Sequence, residues 1–323
     1  MDKKVRKAGF TEQILDTGEI SLNFVAGPDN GPPLVLIPGQ GLLWESYRKS
    51  LPLLAEHFQA YAVDVRGHGR SSYTPGDYNF KNMGSDIAAL LEKVVKRKAF
   101  ISGNSSGGLI ALWVAANHPE LVSGIILEDT PVFSAEWPRL RDDCWAYNSF
   151  KRITETIGAH GKKGLPDFFK TIEVPVEGKE KVLKFPSFIG GTIAWIVRMN
   201  QLLKPGKPVD IPFLPSEVRL IVKCLSDYDP EFSGAFVDGS ACIDFDHTEA
   251  LKKVQCPMLV LHANWFRTPE YGLVGSMDNE DIARLKSLIP CCTYKKITSG
   301  HMIHFEEPEE YVRTVRDFIE NTI

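Results

Sequence analysis

The chain has 323 residues, 43% of them hydrophobic, and its 37 Lys and Arg residues against 41 Asp and Glu residues give a formal net charge of −4. This length accommodates one large core with an insertion, or two modest domains. The charges form no basic block, so the composition points neither to nucleic acid nor to an anionic membrane as a partner. The six cysteines show no C-x-x-C spacing and suggest neither a zinc site nor a disulfide framework.

The first residues, MDKKVRKAGFTEQ, are charged and lack the apolar region of a signal peptide. No stretch approaches the ~20 apolar residues that are needed to span a bilayer. These features predict a cytoplasmic protein without a membrane partner. The sequence leaves both a monomer and a homodimer open.

Strand and helix patterns alternate through the N-terminal third of the chain. Residues 13–25 predict two strands joined by a turn, which would form a hairpin at a sheet edge. The apolar run 34–37 predicts a strand buried on both faces, and it ends in the glycine-rich turn Pro38-Gly39-Gln40-Gly41. A helix, a strand and a second helix are then predicted at 44–57, 60–65 and 83–95.

A histidine lies between two glycines in the sharp loop that follows the strand 60–65. The sequence places no carboxylate close to this residue, His68, in a way that supports a role as a catalytic base. We therefore interpret His68 as structural.

The segment AFISGNSSGG at residues 99–108 predicts a strand that breaks into a tight turn with Ser105 at its tip. Gly103 to Gly107 fits the G-x-S-x-G pattern, in which residues without side chains let the strand and the next helix approach each other. An apolar helical run at 109–116 follows, as the motif requires. The sequence therefore predicts that Ser105 is a nucleophile, and the alternative is a Gly/Ser-rich loop between core elements.

Four motifs in this order resemble the signatures of the α/β-hydrolase superfamily: residues 34–41, residues 64–71, residues 103–107 and Gly300-His301. The resemblance implies an α/β fold with a mainly parallel eight-stranded sheet and helices on both faces. It also implies that the backbone N–H groups of Ser106 and Gln40 form an oxyanion hole. Many members have His-Gly where this chain has Pro38-Gly39, and we expect the hole to survive because it uses backbone groups.

The alternation of strands and helices stops between Val132 and Ala250. That segment is rich in aromatic residues, Pro and Gly, and it contains helical stretches at 193–203 and 216–225. We interpret 132–250 as an inserted, mostly helical cap, and 1–131 with 251–323 as the hydrolase core. The cap aromatics are candidates for the substrate pocket or for the core of the cap itself: Phe133, Trp137, Trp145, Phe188 and Trp195.

The core pattern resumes with a strand at 257–262, a helix at 279–288 and a last strand at 293–297. His301 follows a glycine directly after that strand, so its ring is free to reach the carboxyl edge of the sheet. The Gly-His pair followed by Glu306 and Pro308 resembles the superfamily pattern. These features favour His301 over His304 as the catalytic base.

The third member of a triad would be an acid. In most of the superfamily it follows the strand after the cap, but residues 261–267 contain no carboxylate. Asp129 follows the strand after the nucleophile helix, an acid position that resembles that of dehalogenases and of fungal lactone hydrolases. Glu128 should point the opposite way by strand alternation. Asp278 is the first alternative acid and Glu128 the second, and Asp129 would then merely brace the strand end.

A serine activated by histidine attacks carbonyl carbon, and water then cleaves the acyl-enzyme. The sequence thus predicts a serine hydrolase for a bulky, apolar ester or lactone, with no metal and no cofactor. Superfamily members with an aspartate nucleophile, such as dehalogenases and epoxide hydrolases, are disfavoured by Ser105. Two other functions stay open: hydrolysis of a carbon–carbon bond in a diketone, and ligand binding by a receptor-like protein with little turnover. The complete Ser, His and acid set argues against the receptor.

Overall fold

The computed structural model describes residues 1–179, 182–184 and 187–323. The strands are β1 Thr11–Asp16, β2 Ser21–Ala26, β3 Pro33–Ile37, β4 Gln59–Val63, β5 Ala99–Asn104, β6 Val122–Glu128, β7 Glu173–Val174, β8 Leu183–Lys184, β9 Met258–His262, β10 Phe266–Thr268, β11 Gly272–Val274 and β12 Thr293–Lys296. The α-helices are α1 Lys3–Lys7, α2 Leu51–Leu54, α3 Phe80–Leu90, α4 Ser106–Asn117, α5 Arg139–Asp143, α6 Trp145–Ile153, α7 Leu165–Lys170, α8 Ser187–Leu203, α9 Ser216–Leu225, α10 Pro230–Val237, α11 His247–Lys253, α12 Asn279–Leu288, α13 Ile303–Glu306 and α14 Pro308–Glu320. Short 3₁₀ segments lie at Trp44–Lys49, Pro119–Leu121, Gly161–Gly164 and Ser240–Cys242, and π-helical turns at Leu91–Val95 and Thr154–Gly158.

Eight strands form one sheet in the order β1-β2-β4-β3-β5-β6-β9-β12. Within this order, every neighbouring pair in the run β4-β3-β5-β6-β9-β12 is parallel, whereas β2 is antiparallel to both β1 and β4. The predicted fold class, a mainly parallel eight-stranded sheet with an edge hairpin, is confirmed. In such a sheet the carboxyl ends of the parallel strands form one edge, where ligands of α/β proteins bind.

Both faces of the sheet are covered, which explains why its central strands are apolar throughout. Side chains of β3 alternate between two clusters of buried residues: Val35 and Ile37 pack into the first, and Leu34 and Leu36 pack into the second. Helices α3, α4, α11 and α12 contribute to the first cluster, and α1, α2 and α14 contribute to the second. The sheet is therefore the middle layer of a three-layer core.

One predicted helix is shorter and more irregular than its pattern indicates. Residues 44–57 form a 3₁₀ segment followed by the single turn α2, because Pro52 has no N–H to donate and its ring would clash with the carbonyl group of Arg48 in a continuous helix. The chain between β6 and β9 is mostly helical, as predicted, and α11 at its end already packs against α4 of the core. In the described ranges, no helix has the length and apolar character that crossing a membrane requires.

Candidate active site

Ser105 lies between β5 and α4 at the carboxyl edge of the sheet. Its φ of 55° is unfavourable for a residue with a side chain, and the surrounding structure must hold it there. A Cβ atom on Gly103 would lie 2.1 Å from the carbonyl oxygen of Gly107, and one on Gly107 would lie 2.2 Å from that of Ile37. The two glycines of the motif are thus sterically required for this turn.

His301 and Asp129 meet at the same edge although they are far apart in the chain. Nδ1 of His301 lies 2.6 Å from Oδ2 of Asp129, and the His301 side chain remains 48% exposed, whereas the Asp129 side chain is buried. With Asp129 ionised, Nδ1 carries the proton and its N–H donates a hydrogen bond to the carboxylate, which leaves Nε2 free as a base. His301 and Ser105 line the same cavity.

Asp129 is held in place by two further donors. Its Oδ1 accepts hydrogen bonds from the Ser276 hydroxyl at 2.6 Å and from the Ala263 backbone N–H at 3.0 Å. Burial by itself would raise the pKa of this carboxyl, but the donors and the His301 charge hold the pKa below its ordinary value. The carboxylate is therefore ionised, and both of its oxygens are used.

The same pair shifts the pKa of His301 in the other direction. Desolvation in the cavity would lower the pKa of the imidazole, but the hydrogen bond and the negative charge of Asp129 raise it above its ordinary value. An imidazolium at this position is thus stabilised, as a proton-accepting base next to a serine requires.

The loop that carries His301 is fixed by three hydrogen bonds to two side chains. Asn104 Nδ2 donates to the His301 carbonyl oxygen at 2.9 Å, which ties the loop to the residue before Ser105. The Glu306 carboxylate accepts the backbone N–H of Gly300 at 2.8 Å and that of Met302 at 3.3 Å. The Glu and the Gly-His pair of the sequence pattern are therefore linked by hydrogen bonds that set the position of the ring.

The other candidate acids and the other histidine are engaged elsewhere. Glu128 Oε1 accepts the backbone N–H of His304 at 2.9 Å and faces its Nδ1 at 2.7 Å, and both side chains are fully buried. Asp278 caps α12 by accepting the N–H groups of Glu280 and Asp281, and it pairs with Arg267. Glu128 thus points away from Asp129, as strand alternation predicts, and Asp278 serves as a helix cap.

The predicted oxyanion-hole residues face the cavity that contains Ser105. Ser106 is the first residue of α4, so its backbone N–H has no acceptor within the helix. Gln40 lies in the turn after β3, and the neighbouring Gly41 N–H is already donated to Nε2 of His68 at 2.9 Å. The role of the Gln40 and Ser106 amides as donors to a developing negative charge stays a prediction.

The cavity at this edge has a volume of about 400 Å³. Its wall combines the carboxyl edge of the sheet, the chain between β6 and β9, and the hairpin of β10 and β11. The described lining residues are Gln40, Ser105, Ser106, Asp129, Pro131, Ser134, Ala135, Leu140, Cys144, Trp145, Ala146, Ser149, Phe150, Phe236, Asn264, Phe266, Val274, Gly275, Ser276 and His301. Apolar and small side chains dominate this surface, which suits a largely apolar ligand.

Four of the five aromatic residues predicted for the pocket lie outside this lining, and the prediction for them is corrected. Phe133 is buried in the core under the Arg284 guanidinium, and Trp137 packs on Arg141 and Gly239. Phe188 and Trp195 lie on the outer face of α8, where they are 74% and 64% exposed. Trp145 alone lines the cavity, because α6 rather than α8 packs over the catalytic edge.

Several residues that shape the site gave no signal in the sequence. Ser276 follows the hairpin of β10 and β11, and only the fold brings its hydroxyl to Asp129. Phe150 and Phe236 come from α6 and α10, where aromatic residues are ordinary core formers. In the residues that the structure describes, no three His, Cys, Asp or Glu side chains are grouped as metal ligands.

The sheet order and the helices on both of its faces are those of the α/β-hydrolase fold. Residues 32–149 match the family model described as the alpha/beta hydrolase fold, a range that runs from β3 through the Ser105 turn and Asp129. The chain therefore has the α/β-hydrolase fold, and the match to the family model spans little more than a third of its 323 residues.

Individual proteins resemble this chain at low identity, over nearly all or only part of its length. A fluoroacetate dehalogenase from a Burkholderia species is 23% identical over 96% of this chain and 94% of its own length. A 3-oxoadipate enol-lactonase from Acinetobacter baylyi is 28% identical over 37% of this chain, and the match spans 45% of that protein. The solved structure of a thermophilic esterase from Thermogutta terrifontis has a TM-score of 0.67 and 19% identity, covering 97% of this chain and 99% of that chain.

Proposed function

We propose that this protein is a serine hydrolase that cleaves a carboxylic ester or lactone through an acyl-enzyme. The observation that carries the proposal is the convergence of Ser105, His301 and Asp129 in one cavity, with the histidine and the aspartate 2.6 Å apart. Asp129 holds the imidazole in the tautomer that leaves Nε2 free to accept a proton, which is the arrangement a serine nucleophile needs.

The reaction then follows from these positions. His301 Nε2 removes the Ser105 proton as the hydroxyl oxygen attacks the carbonyl carbon, and the negative charge moves onto the carbonyl oxygen. The N–H groups of Gln40 and Ser106 stabilise that charge. His301 returns the proton to the leaving alcohol, and a water molecule activated by the same histidine releases the acid from Ser105.

The comparisons support hydrolysis but differ in chemistry. One relative is a dehalogenase and another is an enol-lactonase. Ser105 occupies the nucleophile position, where superfamily dehalogenases carry an aspartate. The serine supports attack on an acyl carbon rather than displacement of a halide.

The scarcity of charged side chains in the cavity lining supports the proposal that the substrate is uncharged. Asp129 and His301 are the only acidic or basic side chains in the described lining, which contains no Lys or Arg. A carboxylate such as fluoroacetate would be desolvated there without a cationic partner, which is costly. We propose that residues 132–250 act as a cap whose α5, α6 and α10 provide the apolar walls for a bulky, neutral acyl group.

Two measurements test the function together. The first is intact-protein mass spectrometry after rapid mixing with a panel of aryl esters, macrocyclic lactones and diketones. We expect an acyl adduct on wild-type protein that is absent from Ser105→Ala. Turnover of diketones without any ester or lactone turnover would instead assign the protein to carbon–carbon bond hydrolysis.

The second measurement compares pairs of esters that differ only in a terminal methyl or carboxylate group on the acyl chain. We expect kcat/KM to be higher for the neutral member by about a hundredfold, because burying an unpaired carboxylate costs several kcal/mol. Equal values, or preference for acetyl esters over every bulky ester, would contradict the proposed substrate class.

A further inference from the structure

A hydrogen-bonded group beside the cavity links the turn after β3 to the chain that follows α9. Nε2 of Gln40 donates to the Ser233 hydroxyl at 2.8 Å and to the Tyr228 hydroxyl at 3.2 Å, and these two hydroxyls are 2.8 Å apart. Oε1 of Gln40 is buried and has no partner among the described residues. The two hydroxyls are therefore the hydrogen-bonding groups that hold this side chain.

The backbone beside Gln40 is fixed by His68. Its Nδ1 lies 3.0 Å from the carbonyl oxygen of Arg66, so Nδ1 carries the proton and Nε2 is left to accept the Gly41 N–H at 2.9 Å. Burial lowers the pKa of His68 to about 4, which keeps the ring neutral at neutral pH. The Gly41 N–H is thus occupied, and within this pair of residues only the Gln40 N–H is left for a substrate.

Tyr228 and His68 belong to one packed unit. The His68 ring lies 4.8 Å from the Tyr228 ring and 4.6 Å from the Phe232 ring. The backbones pair as well, since Gly69 N–H donates to Asp227 and Asp229 N–H donates to Gly67, both at 2.8 Å. The segment 227–229, which lies in the insertion between β6 and β9, is therefore attached to the loop that supports the oxyanion-hole turn.

We propose that His68, Tyr228 and Ser233 are positioning residues that fix the Gln40 backbone N–H as an oxyanion donor, so that the inserted segment helps to build the site as well as to cover it. The inference rests on the proposed serine-hydrolase function. Its physical basis is that a preorganised donor stabilises the transition state only when it is held at the oxyanion position. Small displacements of such groups cost large factors in rate.

The test uses Tyr228→Phe and Ser233→Ala, which remove one hydroxyl each and keep the packing of the ring and of α10. Matched controls are Tyr294→Phe, which removes a phenol bonded to His262 outside the cavity, and Ser85→Ala on the exposed side of α3. We expect kcat to fall by about tenfold to a hundredfold in the first pair, with KM within about twofold, and no change in the controls.

The affinity for a boronic acid that forms a tetrahedral adduct on Ser105 gives the second readout. We expect the inhibition constant to rise in step with the loss of kcat/KM across the variants, because both report the oxyanion donor. The factor by which kcat falls in the double variant should be smaller than the product of the two single-variant factors, since both hydroxyls hold the same Gln40 side-chain amide. His68→Leu should resemble the double variant, and His68→Asn, which offers a new acceptor, should recover part of the loss.

Thermal unfolding separates positioning from simple stability. Variants that unfold at lower temperature but keep kcat and boronate affinity, or that lose kcat only in proportion to folded protein, would overturn the inference and leave the proposed function standing. Wild-type protein that neither turns over esters nor reacts at Ser105 with a fluorophosphonate would overturn both.

Discussion

His301 Nδ1 and Asp129 Oδ2 lie 2.6 Å apart across 172 residues of sequence, and the carboxylate that makes this contact also accepts the Ser276 hydroxyl and the Ala263 N–H. The two groups change each other's titration, since the pKa of Asp129 is lowered and that of His301 is raised. A histidine paired in this way has one orientation and one available nitrogen, and the expected behaviour of several variants follows from that.

Replacement of the nucleophile is the first prediction. Ser105→Ala should abolish turnover and labelling by a fluorophosphonate, because no other side chain in the proposed mechanism forms the covalent bond. The melting temperature should stay close to that of the wild type, since one hydroxyl at the cavity contributes little to stability. Labelling that persists in the variant would remove Ser105 from the mechanism.

The choice of acid is tested by two conservative substitutions. Asp129→Asn should lower kcat by about 10⁴, because the amide no longer stabilises the imidazolium and favours the wrong tautomer. Asp278→Asn should lower it far less, since this residue caps α12 and pairs with Arg267. Both variants are to be measured on one substrate at one pH, and the reverse ranking would transfer the role of the acid to Asp278.

The pH dependence of kcat/KM reports the histidine. His301 must be neutral to accept the serine proton, and Asp129 raises its pKa, so activity should fall with decreasing pH at a midpoint above the ordinary histidine value of about 6.5. In Asp129→Asn the midpoint should move to lower pH, because the negative charge that stabilises the imidazolium is gone. An ester without ionisable groups is the suitable substrate, and a flat profile between about pH 5 and pH 8 would argue against His301 as the base.

The cavity wall is tested by two tryptophans. Trp145 lines the cavity from α6, whereas Trp195 is 64% exposed on α8. Trp145→Ala should raise KM for a bulky neutral ester by about tenfold, a loss typical of one buried aromatic contact. Trp195→Ala is the matched control and should leave KM unchanged, and equal effects of the two would show that the wall is assigned to the wrong helix.

The buried pair of Glu128 and His304 should matter for stability more than for chemistry. Glu128→Gln removes the charge that faces the His304 ring and its backbone N–H, and we expect the free energy of unfolding to fall by about 3 kcal/mol. Urea denaturation measures this loss, with Glu309→Gln on the exposed face of α14 as the control. An unchanged unfolding midpoint would mean that the pair contributes no net stability.

The sequence alone predicted the order of strands and helices and the sharp turn around Ser105. Both leave a local pattern in the sequence, because apolar runs of strand length define buried strands and the G-x-S-x-G spacing marks the turn. Gly103 is required by a contact with the nearby Gly107 backbone, whereas Gly107 is required by the backbone of Ile37 in β3. The break at Pro52 was also encoded locally, yet the amphipathic pattern of 44–57 concealed it, because periodicity reports burial and not backbone continuity.

Only the tertiary structure decided which aromatic side chains reach the cavity and what surrounds Asp129. The composition of residues 132–250 is the same whichever helix packs over the catalytic edge, so Trp145 and Trp195 could not be distinguished until α6 was found there. Ser276 and Ala263 reach Asp129 only through the arrangement of the strands, and His68 and Tyr228 meet only because segment 227–229 pairs with the loop after β4. Contacts of this kind join residues that are more than a hundred positions apart. No local sequence pattern encodes which distant side chain will face a given residue in the folded chain.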